Sequence, residues 1–291
     1  MALFHRVMVA LARAESDRSL ISYARLVAGM APGAEFHFIH ALDWPEESRG
    51  LQMVNHGQAV SQIKSLVEEQ FGNSGQCYVR VLPGDRTDQL LEYAAEWSVD
   101  LILMGHRRNR NGRRSMARRL AMKAPCSVWV VPEGSAVKIS KVLAAVDFSK
   151  HSASAMYTAA AITRDNRLPE CVAVHVHFGG DGARPPSPQD LSDFITQSNP
   201  HNVRVKPVVT AAATVSEAVH RLMPAESLDL VVLGSRGSSD SSSILLGAES
   251  EQVIMQSPIP VLVVKQPGER LEVLEVLLDR TLCLREEARP A

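Results

Sequence analysis

The chain repeats itself, and this internal repeat limits the folds that it can adopt. Four apolar segments of the first half recur in the second half in the same order and at similar spacing. Matched positions include Arg6 and Lys141, His40 and His175, Gly105 and Gly234, and Pro125 and Pro258. Chance rarely produces such agreement, so we predict two copies of one domain over residues 1–134 and 140–266. A tail over 267–291 follows them.

Within each copy, short apolar strands alternate with segments of helical periodicity. Helices are predicted over 16–30, 47–71, 87–97 and 115–123, and again over 152–164, 189–197, 215–223 and 248–256. The segment 230–233 is apolar throughout, which is typical of a parallel strand buried on both faces. The alternation predicts two doubly wound α/β domains. Leucines at helical spacing in the tail predict an amphipathic C-terminal helix.

Composition excludes several classes of protein. The 291 residues are 45% hydrophobic and 22% charged, which is typical of globular proteins. No apolar run approaches the roughly 20 residues that cross a bilayer, and we expect no secretory signal. The four cysteines form no CxxC pair, which argues against a disulfide framework or zinc site and favours the cytoplasm. The net charge of −1 argues against nucleic acid as a general partner.

The residues that follow the strands of the second copy form the candidate ligand site, because ligands of open parallel sheets bind beyond the carboxyl ends of the strands. Asp147 follows the first strand and can accept a hydrogen bond from a ribose hydroxyl or a purine amine. Gly234 and Gly237 follow the fourth strand, and without a Cβ they let backbone N–H groups approach a phosphate. Gly247 precedes the last helix, whose N-terminus attracts anions.

The spacing Gly-x2-Gly-x9-Gly, the aspartate after the first strand and the His-Val that ends the second resemble the universal stress protein family. The likeness covers about residues 3–266 as a tandem pair. It implies a five-stranded parallel sheet in each copy, of the adenine nucleotide α-hydrolase-like type. It also implies ATP or a related adenine nucleotide, with or without Mg²⁺, although some members bind none. The contacts implied are Ala145, Asp147, Val176, Gly234, Ser235, Gly237, Gly247 and Ala248.

The second copy departs from the family pattern at the start of its last helix. Nucleotide-binding members have a hydroxyl residue and then an apolar one after the third glycine, whereas this chain has Ala248 and Glu249. The lost hydroxyl contact costs about 0.5–1.5 kcal/mol of binding free energy. Glu249 interacts favourably with the helix dipole but would repel a triphosphate. An empty site is therefore the alternative to a bound nucleotide.

The first copy departs further from the family pattern than the second does. Ala12 stands where the second copy has Asp147, and Arg108 and Arg114 stand where it has glycines. Arginine side chains would fill the space that phosphates need, so we expect no nucleotide in this copy. The basic segment 107–119 is then a solvated loop, or a contact for another anion, an acidic protein surface or an RNA backbone.

Three functions remain open from the sequence. The first is a cytoplasmic stress-response regulatory module that binds an adenine nucleotide in its second copy. The second is a nucleotide-free scaffold for an unidentified protein partner, and the third is a slow ATPase or autokinase that uses serines within 238–243. No nucleophile elbow or carboxylate–histidine pair falls at the crevice, so rapid catalysis is not expected. We expect His175 to be a packed strand-end histidine rather than a metal ligand, because His40 fills the same repeat position.

The last strand of each copy, over 126–131 and 259–264, predicts how the chain assembles. Each would be an exposed sheet edge in isolation, and pairing one with the other removes both edges. We therefore expect the two copies to form a pseudo-dimer within one chain. The tail helix offers a surface for a homodimer, and its acidic residues argue against a membrane partner.

Overall fold

The computed structural model describes residues 3–12, 15–42, 49–107, 115–178, 186–236 and 246–265, with the backbone alone for 49–55. The first copy contains β1 (Arg6–Leu11), α1 (Asp17–Met30), β2 (Glu35–Leu42), α2 (Arg49–Gln70), β3 (Gln76–Pro83), α3 (Arg86–Glu96), β4 (Leu101–His106), α4 (Met116–Lys123) and β5 (Ser127–Pro132). The second contains β6 (Val142–Ala145), α5 (Lys150–Asp165), β7 (Cys171–His177), α6 (Pro188–Ser198), β8 (Val205–Ala211), α7 (Val215–Glu226), β9 (Leu230–Gly234), α8 (Ala248–Gln256) and β10 (Val261–Val264). The predicted alternation is confirmed, while the predicted tail helix lies outside the described residues.

Four of these helices begin where the sequence supplies a side-chain acceptor for the first backbone N–H groups. The capping residues are Asp85 for α3, Ser149 for α5, Ser187 for α6 and Thr214 for α7. At α3 the backbone N–H groups of Asp88 and Thr87 bind the Asp85 carboxylate and lower its pKa. Local sequence therefore sets where these helices start.

The ten strands of the described residues form one sheet in the order β3-β2-β1-β4-β5-β10-β9-β6-β7-β8. Neighbouring strands are parallel throughout each half, and the two halves have the same strand order read from opposite ends. Only β5 and β10 pair in antiparallel fashion among these strands. Each half is thus a five-stranded parallel sheet, as the family resemblance implies, and the predicted pairing of the two last strands is confirmed.

The β5–β10 pairing forms a seam that joins the two halves. Trp129 of β5 lies opposite Leu262 of β10, and both are fully buried. Lys265, directly after β10, extends across the seam and donates hydrogen bonds from Nζ to the carbonyl oxygens of Ala124 (2.6 Å) and Met122 (3.3 Å) at the end of α4. The second half therefore caps a helix of the first, where a cation also suits the helix dipole.

Helices cover both faces of the sheet. Helices α1, α2, α5 and α6 pack on one face, and α3, α4, α7 and α8 pack on the other. Each face has one continuous apolar layer with residues from both halves, so burial of apolar surface also holds the halves together. None of the helices described is long and apolar enough to cross a membrane.

Two aspartates at repeat-equivalent positions tie the first strand of each half to the fourth. The Asp100 carboxylate accepts hydrogen bonds from the backbone N–H groups of His5 (2.7 Å) and Arg6 (3.2 Å). Asp229 accepts a hydrogen bond from the backbone N–H of Ser140 at 2.9 Å. Burial raises the pKa of Asp100, and the hydrogen bonds from His5 and Arg6 oppose this shift. These contacts fix the register of the two strands that flank each crevice.

Replacing Lys265 with methionine tests the seam. The Lys265→Met variant keeps most of the apolar stem but leaves the last carbonyl groups of α4 without their buried donor. We expect the free energy of unfolding, measured by urea denaturation, to fall by about 1–3 kcal/mol. The control is Lys206→Met, which removes a surface contact with Glu226 (2.7 Å) and should cost less than about 1 kcal/mol. Equal losses in the two variants would contradict a structural role for Lys265.

Candidate functional site

A cavity of about 460 Å³ opens at the carboxyl ends of β6 and β9, the two neighbouring strands at which the second half reverses its strand order. Strand β6 contributes Ala145, and Asp147 follows two residues later. Strand β7 contributes Val174 and Val176, and β9 contributes Gly234. The first turn of α8 closes one side. Six of the eight residues named from the sequence lie in the lining, namely Ala145, Asp147, Val176, Gly234, Gly247 and Ala248.

The other two predicted residues do not appear in the described lining. Ser235 is fully buried, its Oγ lies 3.4 Å from His151 Nδ1, and its carbonyl oxygen accepts a hydrogen bond from the Gly247 N–H at 2.9 Å. Ser235 therefore positions Gly247 instead of facing the cavity. Gly237 lies outside the described residues, as do the serines within 238–243.

Asp147 is held in place by the chain that follows it. The backbone N–H of Ser149 donates a hydrogen bond to Asp147 Oδ1 at 3.0 Å. Ser149 in turn caps α5, because its Oγ accepts a hydrogen bond from the Ser152 N–H at 3.1 Å. The carboxylate is thus fixed at the cavity wall by the turn into α5.

Gly234 has a packing role that the glycine spacing did not reveal. A Cβ at this position would lie 2.8 Å from both the carbonyl carbon and the Cβ of His151 in the first turn of α5. Such a distance is far below van der Waals contact, so the close approach of α5 to β9 requires glycine. At the repeat-equivalent Gly105, no described atom beyond its two chain neighbours lies within 4 Å of the corresponding position.

The N-terminus of α7, beside the cavity, is already bound by a side chain of α8. Glu249, in the first turn of α8, accepts a hydrogen bond through Oε2 from the backbone N–H of Val215 at 2.7 Å. This contact places the carboxylate at the N-terminus of α7 as well. Ser250 Oγ donates to the Gly234 carbonyl oxygen at 3.0 Å. Sequence reasoning placed Glu249 on its own helix only, because its partner lies 34 residues away.

His175 is a packed histidine. Its Nδ1 lies 2.8 Å from the carbonyl oxygen of Val146, and the repeat-equivalent His40 makes the same contact with Leu11 at 2.9 Å. The phenyl ring of Phe148 packs against it with ring centroids 4.9 Å apart. Among the described residues, no group of three or more histidine, cysteine or acidic side chains could hold a metal ion.

The first half has its own cavity, of about 610 Å³, at the corresponding crevice. Ala12 stands in the position of Asp147, and its backbone N–H donates to Asp17 Oδ1 at 3.1 Å. Arg107 pairs with Glu133 at 3.0 Å on the rim. No described residue of β2 lines this cavity, whereas the equivalent β7 forms a wall of the second one. Met255, near the end of α8, lines it from the second half.

The sequence of both halves matches one family. The sequence model of the universal stress protein family matches the chain twice, over residues 3–132 and 138–265. The chain belongs to the universal stress protein family. It is a tandem member, as its internal repeat and the two matches require.

Individual universal stress proteins resemble this chain to different extents. The crystal structure of a universal stress protein from Archaeoglobus fulgidus matches this chain with a TM-score of 0.72 at 17% sequence identity. The match covers 91% of this chain and 97% of that protein, and it shows that the two share a fold. The curated "Universal stress protein in QAH/OAS sulfhydrylase 3'region" of Thermus aquaticus is 38% identical over 50 residues, 17% of this chain and 36% of that protein. A universal stress protein solved in complex with cAMP covers 44% of this chain at 18% identity, with a TM-score of 0.32.

The packing role of Gly234 predicts unequal effects of alanine at the two repeat-equivalent glycines. In Gly234→Ala the new methyl group meets backbone atoms of His151, and we expect a loss of about 1–3 kcal/mol in unfolding free energy. In the control, Gly105→Ala, the methyl group meets open space and the change should stay within about 1 kcal/mol. Chemical denaturation of both variants measures this difference, and a larger loss in Gly105→Ala would contradict it.

Proposed function

We propose that this tandem universal stress protein is a cytoplasmic regulatory module of the stress response that binds one adenine nucleotide per chain, in the cavity of its second half. The observation that carries the proposal is the convergence of Asp147, Val176 and Gly234 on one cavity at the switch point of the sheet. A regulatory role requires that a ligand bind in this cavity and leave it again. It does not require rapid chemistry.

The lining of the second cavity suits a nucleoside. Val174, Val176 and Leu233 offer apolar walls for the faces of a purine ring, and the carboxylate of Asp147 can accept hydrogen bonds from ribose hydroxyls. Its volume of about 460 Å³ lies within the usual range of small-molecule sites. In the first cavity Ala12 stands in the position of Asp147, and no described residue of β2 forms a wall.

Calorimetry with adenosine, AMP and ATP tests the proposal. We expect at least one of them to bind the full chain with a stoichiometry near one. Asp147→Ala should weaken that binding by about 1–3 kcal/mol, which is typical of a lost charged hydrogen bond. The control is Asp193→Ala, which removes an exposed carboxylate of α6 in the same half and should leave affinity unchanged. A stoichiometry near two, or an Asp147→Ala variant that binds as wild type does, would contradict the assignment.

Native mass spectrometry of freshly purified protein separates this proposal from the nucleotide-free scaffold. A bound adenine compound adds a discrete mass to the chain, and Asp147→Ala should remove that mass. A bare chain that binds none of the three compounds would favour the scaffold, whose partner would be a protein.

A further inference from the structure

The end of the second cavity next to α7 and α8 is where the family resemblance places the phosphates. Here the chain supplies its own anion. Glu249 accepts the Val215 N–H at 2.7 Å and lies in the first turn of α8, so one carboxylate serves the N-termini of two helices. The N-terminus of α7 is thereby bound from within the chain, and the same carboxylate adds negative charge beside the first turn of α8.

The hydrogen-bond donors at the start of α7 are also engaged. At the start of α7 the backbone N–H groups of Ala213 and Glu217 donate to Glu217 Oε2 (2.9 Å) and Thr214 Oγ1 (3.1 Å). The Gly247 N–H donates to the carbonyl oxygen of Ser235. A phosphate that approached the start of α7 or the Gly247 N–H would have to displace these contacts, because each N–H group can make only one good hydrogen bond.

The charge of the described lining points the same way. Asp147 and Glu249 are the acidic residues in it, and Arg236 is the basic one. Apolar side chains supply most of the remaining wall. In such a partly enclosed, weakly polar site, an added negative charge near Glu249 is repelled more strongly than in bulk water. A neutral nucleoside meets no such repulsion.

We propose that the second cavity selects an adenine nucleoside with at most one phosphate, and that Glu249 is the residue that excludes di- and triphosphates. The inference rests on the proposed function, since it names the ligand class of the same site. Asp147 and the apolar walls bind the nucleoside, while Glu249 limits how much negative charge a bound ligand can carry.

The test compares adenosine, AMP and ATP by calorimetry on the full chain in buffer without divalent cations. For wild type we expect ATP to bind at least about tenfold more weakly than adenosine, with AMP between them. Raising the salt concentration from about 50 to 500 mM should narrow the gap between ATP and adenosine, because salt screens repulsion.

The decisive variant is Glu249→Gln, which removes the charge and keeps an oxygen that can accept the Val215 N–H. We expect ATP to bind about tenfold more tightly to it, and adenosine to bind with an affinity within about threefold of wild type. The matched control is Glu251→Gln on the same turn of α8, whose carboxylate pairs with Arg118 at 2.5 Å and is not part of the described lining. It should leave the ratio of the two affinities unchanged.

The outcomes separate the two proposals. If ATP binds wild type as tightly as adenosine, or if Glu249→Gln leaves their ratio unchanged, the role of Glu249 is wrong while the nucleotide site stands. If none of the three compounds binds wild type or Glu249→Gln, the proposed function fails and this inference fails with it. Thermal melting of each variant confirms that the proteins compared are folded.

Discussion

The structure depends on the hydrogen-bonded pairing of β5 with β10. Alone, each half would expose the edge of its last strand, and unpaired backbone groups at an edge attract other chains. Here the two edges satisfy each other and produce one ten-stranded sheet with a continuous apolar layer on each face. Lys265 and the Arg118–Glu251 ion pair add polar contacts across the same seam. The two copies therefore share one sheet and one apolar layer on each of its faces.

This symmetric scaffold carries two different crevices. The backbone elements agree closely, down to the histidine–carbonyl contacts of His40 and His175 and the register-setting aspartates. The side chains that follow the carboxyl ends of the strands differ between the copies. The clearest contrast is Ala12 in the first copy at the position of Asp147 in the second. Residues that hold the sheet together are alike in both copies, while the residues that line the two cavities differ. The proposed single site per chain follows from this division.

Sequence alone predicts the repeat, the order of elements, the seam and six residues of the second cavity's lining, because these depend on apolar periodicity and on local motifs. It misses contacts between residues that are distant in the chain. The collision that makes Gly234 obligatory involves His151, and Glu249 finds its partner at Val215. The spacing of glycines indicates that a backbone approaches something closely, but it does not reveal that the neighbour is a helix of the same domain.

Because β5 and β10 are antiparallel, the strands of the two halves run in opposite directions. The two cavities, which lie at the carboxyl ends of these strands, are therefore on opposite sides of the molecule along the strand direction. Helix α8 bridges this separation. Its first turn lines the second cavity, and Met255 near its last turn lines the first. At 1.5 Å per residue, its nine residues form a rigid rod of about 13 Å. One short helix therefore contributes to the walls of both crevices, although their linings differ.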